Sequence, residues 1–172
     1  MIYSRTKTLL IGTGFLVVVF GFYGLTTVRI TLNGSNSLPH NGYLMVTWPK
    51  VLWRGAYVAI DPPTTFAETF EGVYFVKEVR GVEGDIIRHS SANEVCLQDE
   101  CFELLENRVE ILRDPVAVGE IPEDHFAAFG TAKNSLDSRY GIIGLFSREN
   151  VVAIGVPLRI PHWKEIKVWM EN

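Results

Sequence analysis

Val73-Tyr74-Phe75-Val76-Lys77-Glu78-Val79-Arg80-Gly81-Val82-Glu83-Gly84-Asp85 (residues 73–85) is the stretch whose reading decides the fold. Residues 73–79 are rich in β-branched and aromatic side chains, which favour a pleated, half-buried strand. Gly81-Val82-Glu83-Gly84-Asp85 reads as a turn, and Ile86-Ile87 resumes an extended run. Alternation from Val73 sets Val73, Phe75 and Lys77 on one face and Tyr74, Val76 and Glu78 on the other. Lys77 therefore shares a face with two large apolar residues. Burial without a counter-ion lowers a lysine's pKa and supplies the neutral amine that a general base requires. The competing reading is a lysine at a sheet edge, snorkelling or paired with Glu78. The turn is no phosphate loop, because the Lys-Ser/Thr tail and the following helix are missing.

Working outward, short β-rich runs recur on both sides. They are 43–47, 56–60, 94–97, 102–104, 125–130 and 150–160, bounded by Pro49, Gly55, Asp61-Pro62-Pro63 and similar breakers. Helix is expected at most around 63–72 and near 103–109, where the periodicity is weak. Many short strands separated by turn signals predict a mostly β domain. The sequence contains no internal repeat, low-complexity tract or second-domain linker.

A chain of 172 residues is long enough for one domain with a real core. A formal charge of −4 gives no reason to expect nucleic-acid binding. The mean hydropathy is nevertheless positive, and the cause is local. Leu9 to Leu25 carries no charged residue, and with Thr26, Thr27 and Val28 the run reaches roughly 20 residues, enough to cross about 30 Å of hydrocarbon. A cleaved signal peptide would have a shorter apolar region, about 7–15 residues, and small residues at a cleavage site. The expectation is an uncleaved anchor at 9–28, a short cytoplasmic tail at 1–8 and an extracytoplasmic domain at 29–172. Arg5 and Lys7 before the run, against Arg29 after it, favour an inside N-terminus. Trp48, Trp53, Trp163 and Trp169 are candidates for an interfacial patch, with core packing as the competing reading of each.

Cys96 and Cys101 are the two cysteines, flanking Leu97-Gln98-Asp99-Glu100. In an oxidising compartment this spacing favours a small disulfide loop over two free thiols. A metal site ranks last, since two thiols with His89 nearby fall short of the usual four structural zinc ligands.

Two polar stretches remain. Asn33-Gly34-Ser35-Asn36-Ser37-Leu38-Pro39-His40-Asn41-Gly42-Tyr43 reads either as a linker or as an exposed backbone carrying a nucleophile, Ser35 or Ser37, with the other hydroxyl as donor. Gly130-Thr131-Ala132-Lys133-Asn134-Ser135-Leu136-Asp137-Ser138-Arg139-Tyr140-Gly141 is a dense polar cluster between apolar runs. Within it Asp137 and Arg139 are placed to form a charge-assisted pair, and Ser135 supplies a hydroxyl. His40, His89, His125 and His162 sit in no triad motif.

Taken in order, an apolar span, Ser35-Asn36-Ser37-Leu38-Pro39, Lys77 with its glycine turn, and Asn134-Ser135-Leu136-Asp137-Ser138-Arg139 resemble the type I signal peptidase family of serine/lysine membrane proteases. The chain looks most like the TraF-type branch, the peptidases of conjugative transfer systems that mature pilin precursors. Ser37-Leu38-Pro39-His40-Asn41-Gly42-Tyr43 is similar to that branch's Ser-x-Pro-x-Gly-Tyr-like segment, with one extra residue before the glycine. Leu38-Pro39 departs from the wider family's Met-x-Pro. Residues 76–85 look like the general-base box Lys-Arg-x-x-Gly-x-Pro-Gly-Asp, with Glu78 and Glu83 as departures. The last box matches Asn-Ser-x-Asp-Ser-Arg, although the preceding Gly-Asp-Asn is replaced by Gly130-Thr131-Ala132.

The resemblance implies a signal-peptidase-like antiparallel β catalytic domain behind one transmembrane helix. It implies Ser37 as nucleophile, Lys77 as general base, Ser35 as oxyanion donor with the Ser37 N–H, Ser135 orienting Lys77, and Asp137 and Arg139 as structural support. The implied partners are the lipid bilayer and precursors with signal peptides, prepilin-like ones of a type IV secretion system in particular. No metal, nucleotide or other cofactor is required. The implied location is the bacterial inner membrane, single-pass, with the catalytic domain on the periplasmic side. A general leader peptidase and a non-catalytic, membrane-anchored β subunit of an envelope complex are the alternative readings.

Overall fold

The computed structural model describes residues 2–33, 37–105, 114–163, 165 and 168. It opens on α1 (Ile2–Thr27), whose stretch Lys7–Thr27 is long and apolar enough to cross a membrane and is unburied by the rest of the chain. The helix ends at Thr27 rather than Val28. Arg29 caps its last turn by donating from Nη1 to the carbonyls of Leu25 and Val28, where a cation offsets the negative end of the helix dipole.

The remaining elements are strands: β1 (Val28–Leu32), β2 (Gly42–Val46), β3 (Tyr57–Ile60), β4 (Phe75–Val82), β5 (Ile86–Ser91), β6 (Glu94–Leu97), β7 (Glu100–Glu103), β8 (Gly119–Glu120), β9 (His125–Phe129), β10 (Phe146–Ser147) and β11 (Val151–Leu158). The mostly β expectation holds. Among the described residues they form a seven-stranded sheet, ordered β1-β2-β11-β3-β4-β9-β10, and a four-stranded sheet, ordered β7-β6-β5-β8. The strand pairs are antiparallel.

Three expectations are corrected. β1 was not anticipated, because its Val28 reads as the end of the apolar run. The helix expected around 63–72 is only a 3-10 turn at Thr64–Phe66, since Pro62-Pro63 before it and Gly72 after it leave too few residues to propagate a helix. Near 103–109, Glu103 closes β7 instead, and 106–109 lie outside the described residues.

Two clusters hold the sheets. The larger one joins Val79, Phe126, Ala127 and Phe129 of the large sheet to Ile87, Val95 and Leu97 of the small one, with Ile121 between them. Gly81 is needed at this junction: a Cβ there would meet Ile121 Cδ1 at 2.6 Å and Leu97 Cδ2 at 3.1 Å. The second cluster packs Leu38 with Tyr43, Met45, Tyr57, Ala59 and Ala153. Leu38 is 4% exposed, so its side chain pins the loop that carries Ser37 to the sheet, at a gain of about 2 kcal/mol.

On the large sheet, Ile30, Leu44 and Val156 are register partners across β1, β2 and β11, and all three side chains are exposed. Such a contiguous apolar row on a surface marks a contact. Close by, Trp48 is exposed and lies edge-on to Tyr23 of α1 at 6.2 Å, and Tyr23 Oη donates to its carbonyl at 2.7 Å. Trp53 is also exposed, whereas Trp169 lies outside the described residues.

Candidate active site

Lys77 lies in the middle of β4, between Val58 of β3 and the β9 strand on the other side. Strict alternation along β4 buries Phe75, Lys77, Val79 and Gly81 and leaves Val76, Glu78, Arg80 and Val82 half-buried. The lysine is thus central rather than at an edge, and it is 5% exposed. Glu78 faces away from it, accepting from Tyr57 Oη at 3.2 Å and pairing with Arg80 at 2.9 Å. Among the described residues no carboxylate forms an ion pair with the ammonium, and burial lowers its pKa from the usual 10.5 to about 8. The Asp137 carboxylate pulls the value back up and the Arg139 guanidinium pushes it down. Nζ donates to Ser135 Oγ at 3.0 Å and stands 5.4 Å from the centroid of the Phe75 ring.

The glycine turn after β4 is fixed by Asp85, which is nearly buried. Its carboxylate accepts from the Val82 N–H at 2.7 Å, from Gln98 Nε2 at 2.7 Å and, at its two oxygens, from Arg54 Nη2 at 2.9 and 2.7 Å. Gly84 supplies the positive φ, +83°. Asp85 therefore belongs to the scaffold that aims β4.

The polar cluster 130–141 crosses from β9 to β10 as a series of turns. At its centre Asp137 and Arg139 are buried and paired. The Asp137 carboxylate accepts from Arg139 Nε at 2.8 Å and from the Gly130 N–H at 2.8 Å. Arg139 also donates to the carbonyls of Gly130 and Glu103. A buried pair is tolerated only when the remaining donors and acceptors are met, and here both ends of the loop meet them. Ser138 extends the β9 pattern by donating from its N–H to the Ala128 carbonyl and accepting the Ala128 N–H at Oγ. The result is a rigid support that sets Ser135 beneath Lys77.

Ser37 arrives from the other side. Its carbonyl accepts from the Thr131 N–H at 2.8 Å and from Thr131 Oγ1 at 3.3 Å. Gly130 makes that approach possible, because a Cβ there would stand 2.8 Å from the Ser37 carbonyl oxygen and 2.7 Å from Ser135 Cβ. Ser37, Lys77 and Ser135 line one open cavity of about 350 Å³, walled by Phe70, Val73, Tyr74, Phe75, Val76 and Leu136 with Asn134 at the rim. An apolar trough holding a hydroxyl and a low-pKa amine has the parts for nucleophilic attack on a carbonyl.

Of the residues expected at a site, the fold brings together Ser37, Lys77 and Ser135, with Asp137 and Arg139 immediately below. Ser35 lies outside the described residues. Cys96 and Cys101 face each other across β6 and β7 and are joined in a disulfide. They belong to the small sheet and do not line this cavity. Their sulfur atoms lie near Glu94, but bonded to each other they offer no thiolate to a metal. Gly130 and Thr131 were not singled out from sequence as supports for Ser37, and their only signal was their place directly before the Asn134–Arg139 box.

Residues 2–158 match the sequence profile of a family described as signal peptidase, peptidase S26. That family comprises serine endopeptidases. No curated protein sequence matches the chain. Among solved structures, the chain is similar to a signal peptidase I from Enterococcus faecalis. They share 18% identity over 63% of this chain and 98% of that one, with a TM-score of 0.38.

Proposed function

We propose, on the premise that this chain belongs to the signal peptidase family, peptidase S26, that it is a membrane-anchored Ser/Lys endopeptidase cleaving signal or propeptide segments from exported precursors. The observation that carries the mechanism is the buried Lys77, held near pKa 8 and bonded to Ser135 in the cavity that Ser37 lines. In this mechanism the neutral amine takes the Ser37 proton as Oγ attacks the scissile carbonyl. The resulting ammonium then gives a proton to the departing amine, leaving an acyl ester on Ser37. The amine next activates the water that hydrolyses that ester. Ser135 orients Nζ, and Asp137 with Arg139 holds Ser135. The Ser37 N–H and the Ser35 hydroxyl serve as oxyanion donors, each worth about 10²–10³ in rate.

The substrate lies extended along the apolar trough, as peptides do when they add to a sheet. For the finer assignment we favour a prepilin of a conjugative transfer system, on the strength of the Ser37-Leu38-Pro39 segment. In this reading 9–28 is the anchor, 1–8 the cytoplasmic tail and 29–172 the periplasmic domain, in a bacterial inner membrane. The Ile30–Leu44–Val156 row and the Tyr23–Trp48 contact favour a catalytic domain seated close to the bilayer, where precursors emerge.

Cleavage of a prepilin-like precursor and of an ordinary secretory precursor in membranes tests both levels. Wild type processes at least one of them, and Ser37→Ala and Lys77→Ala process neither. Normal processing by either variant would sink the mechanism. Preference for the secretory precursor would replace the conjugative assignment with a general leader peptidase.

A further inference from the structure

Hairpin pairing between β1 and β2 runs out at Leu32–Gly42 and is continued by one further bond, from the Asn33 N–H to the Asn41 carbonyl at 2.9 Å. Residues 37–40 lie between that pair and include Ser37, and the carbonyls of Leu38 and His40 need donors there. The Asn33 side chain supplies them. Its Nδ2 donates to the Leu38 carbonyl at 3.0 Å and to the His40 carbonyl at 3.0 Å. Two N–H groups on one amide nitrogen thus bridge the two carbonyls that flank Pro39 in the loop.

The consequence falls on the peptide planes around Ser37. The Ser37 carbonyl is held by Thr131, and the carbonyl of the next residue is held by Asn33. With consecutive carbonyls fixed and Leu38 packed into the second core, the Ser37 backbone has little freedom to rotate. On the far side the His40 ring stands edge-on to Tyr57 at 5.7 Å and to Tyr43 at 6.3 Å. Asn33 follows β1 directly, and β1 follows α1 without a spacer. The clamp therefore connects the nucleophile loop to the strand that leaves the anchor.

We infer that Asn33 is a positioning residue for Ser37, acting through its amide N–H donors on the Leu38 and His40 carbonyls. The inference rests on the reading of Ser37 as nucleophile. Asn33→Asp separates donation from shape: it keeps the volume and replaces the amide by a carboxylate facing two carbonyl oxygens. Asn33→Ala, which removes both shape and donors, is the second variant.

The test uses the full chain in detergent micelles, with kcat and KM for a precursor peptide and amide hydrogen exchange read residue by residue. Both variants are expected to lose about 10²-fold in kcat, the effect of misplacing a reacting group by an ångström. KM stays within about twofold, because the trough itself is untouched. Exchange speeds up at Thr131 and Ala132, whose N–H groups point at the Ser37 carbonyl, while β3 and β4 keep their protection. Wild-type kcat in Asn33→Asp, or faster exchange spread over the whole domain, overturns the inference. Should wild type cleave no precursor, the peptidase reading fails, and exchange at Thr131 in the two variants still decides whether the clamp exists.

Discussion

Lys77 Nζ and Ser135 Oγ are separated by 3.0 Å although the two residues stand 58 positions apart in the chain. β4 and the turn after β9 bring them together. The serine hydroxyl gives a buried amine one aimed partner without giving it a counter-ion. This arrangement lets Lys77 give up its proton near pH 8, well below the ordinary lysine range, while its orientation stays fixed.

The first prediction concerns pH. With its pKa lowered to about 8 by burial, Lys77 is a base above that value and an ammonium below it. Activity is therefore expected to reach its plateau above pH 8 and to fall about tenfold per unit below it. A kcat/KM profile for a precursor peptide checks this. A rate flat down to pH 5, with chemistry limiting, would rule out a neutral-lysine base.

Ser135→Ala should slow the enzyme without abolishing it. Losing the hydroxyl leaves Nζ free to rotate, at a cost of about 10- to 10²-fold in kcat. The variant should also carry a shifted profile. The hydroxyl oxygen accepts more strongly from an ammonium than from an amine, so its removal disfavours the charged form and moves the acid limb to lower pH. A limb that moves upward would show that Ser135 favours the neutral amine instead.

Much of this site was legible in the sequence, and the reasons are local. Alternation over 73–79 put Lys77 on the apolar face, and the Asn134–Arg139 spacing announced a paired loop. The order of strands was not legible. β11 inserts between β2 and β3, a pairing set by which apolar faces fit, about which a run of valines carries no information. β1 was hidden because an apolar span passes directly into it. The Asn33 clamp was hidden for another reason: a side chain bonding backbone carbonyls leaves no residue pattern at the carbonyl end. The helix expected over 63–72 failed because weak periodicity was set against two prolines, and the prolines decided the outcome.

Gly130 is expected to be intolerant of any side chain. An added methyl would stand 2.8 Å from the Ser37 carbonyl oxygen and 2.7 Å from Ser135 Cβ. Backbone blocks it on one side, and the Asp137–Arg139 support beneath Ser135 blocks it on the other. Gly130→Ala should therefore lose at least about 10²-fold in activity through misplacement. Overpacking should cost about 1–3 kcal/mol in stability. Turnover within threefold of wild type, with an unchanged unfolding midpoint, would mean that Ser37 does not need this approach.

Lys77→Met should be inactive and, near neutral pH, more stable than wild type. The folded-state pKa of Lys77, about 8, lies below its ordinary 10.5, so between those values the unfolded chain binds more protons than the folded one. Stability from this group therefore rises with pH from 8 to 10.5, and below 8 the buried ammonium is a penalty on the order of 3 kcal/mol. Methionine has a similar length and no charge, so it removes the penalty while filling the same space. Thermal unfolding of the two proteins in the same detergent should show Lys77→Met melting several degrees higher at pH 7. The gap should close as pH rises past 10.5, above which lysine is neutral in both states. A variant less stable than wild type at pH 7, or a gap that ignores pH, would show that Lys77 is charged in the fold and paired, and a paired lysine could not serve as the base.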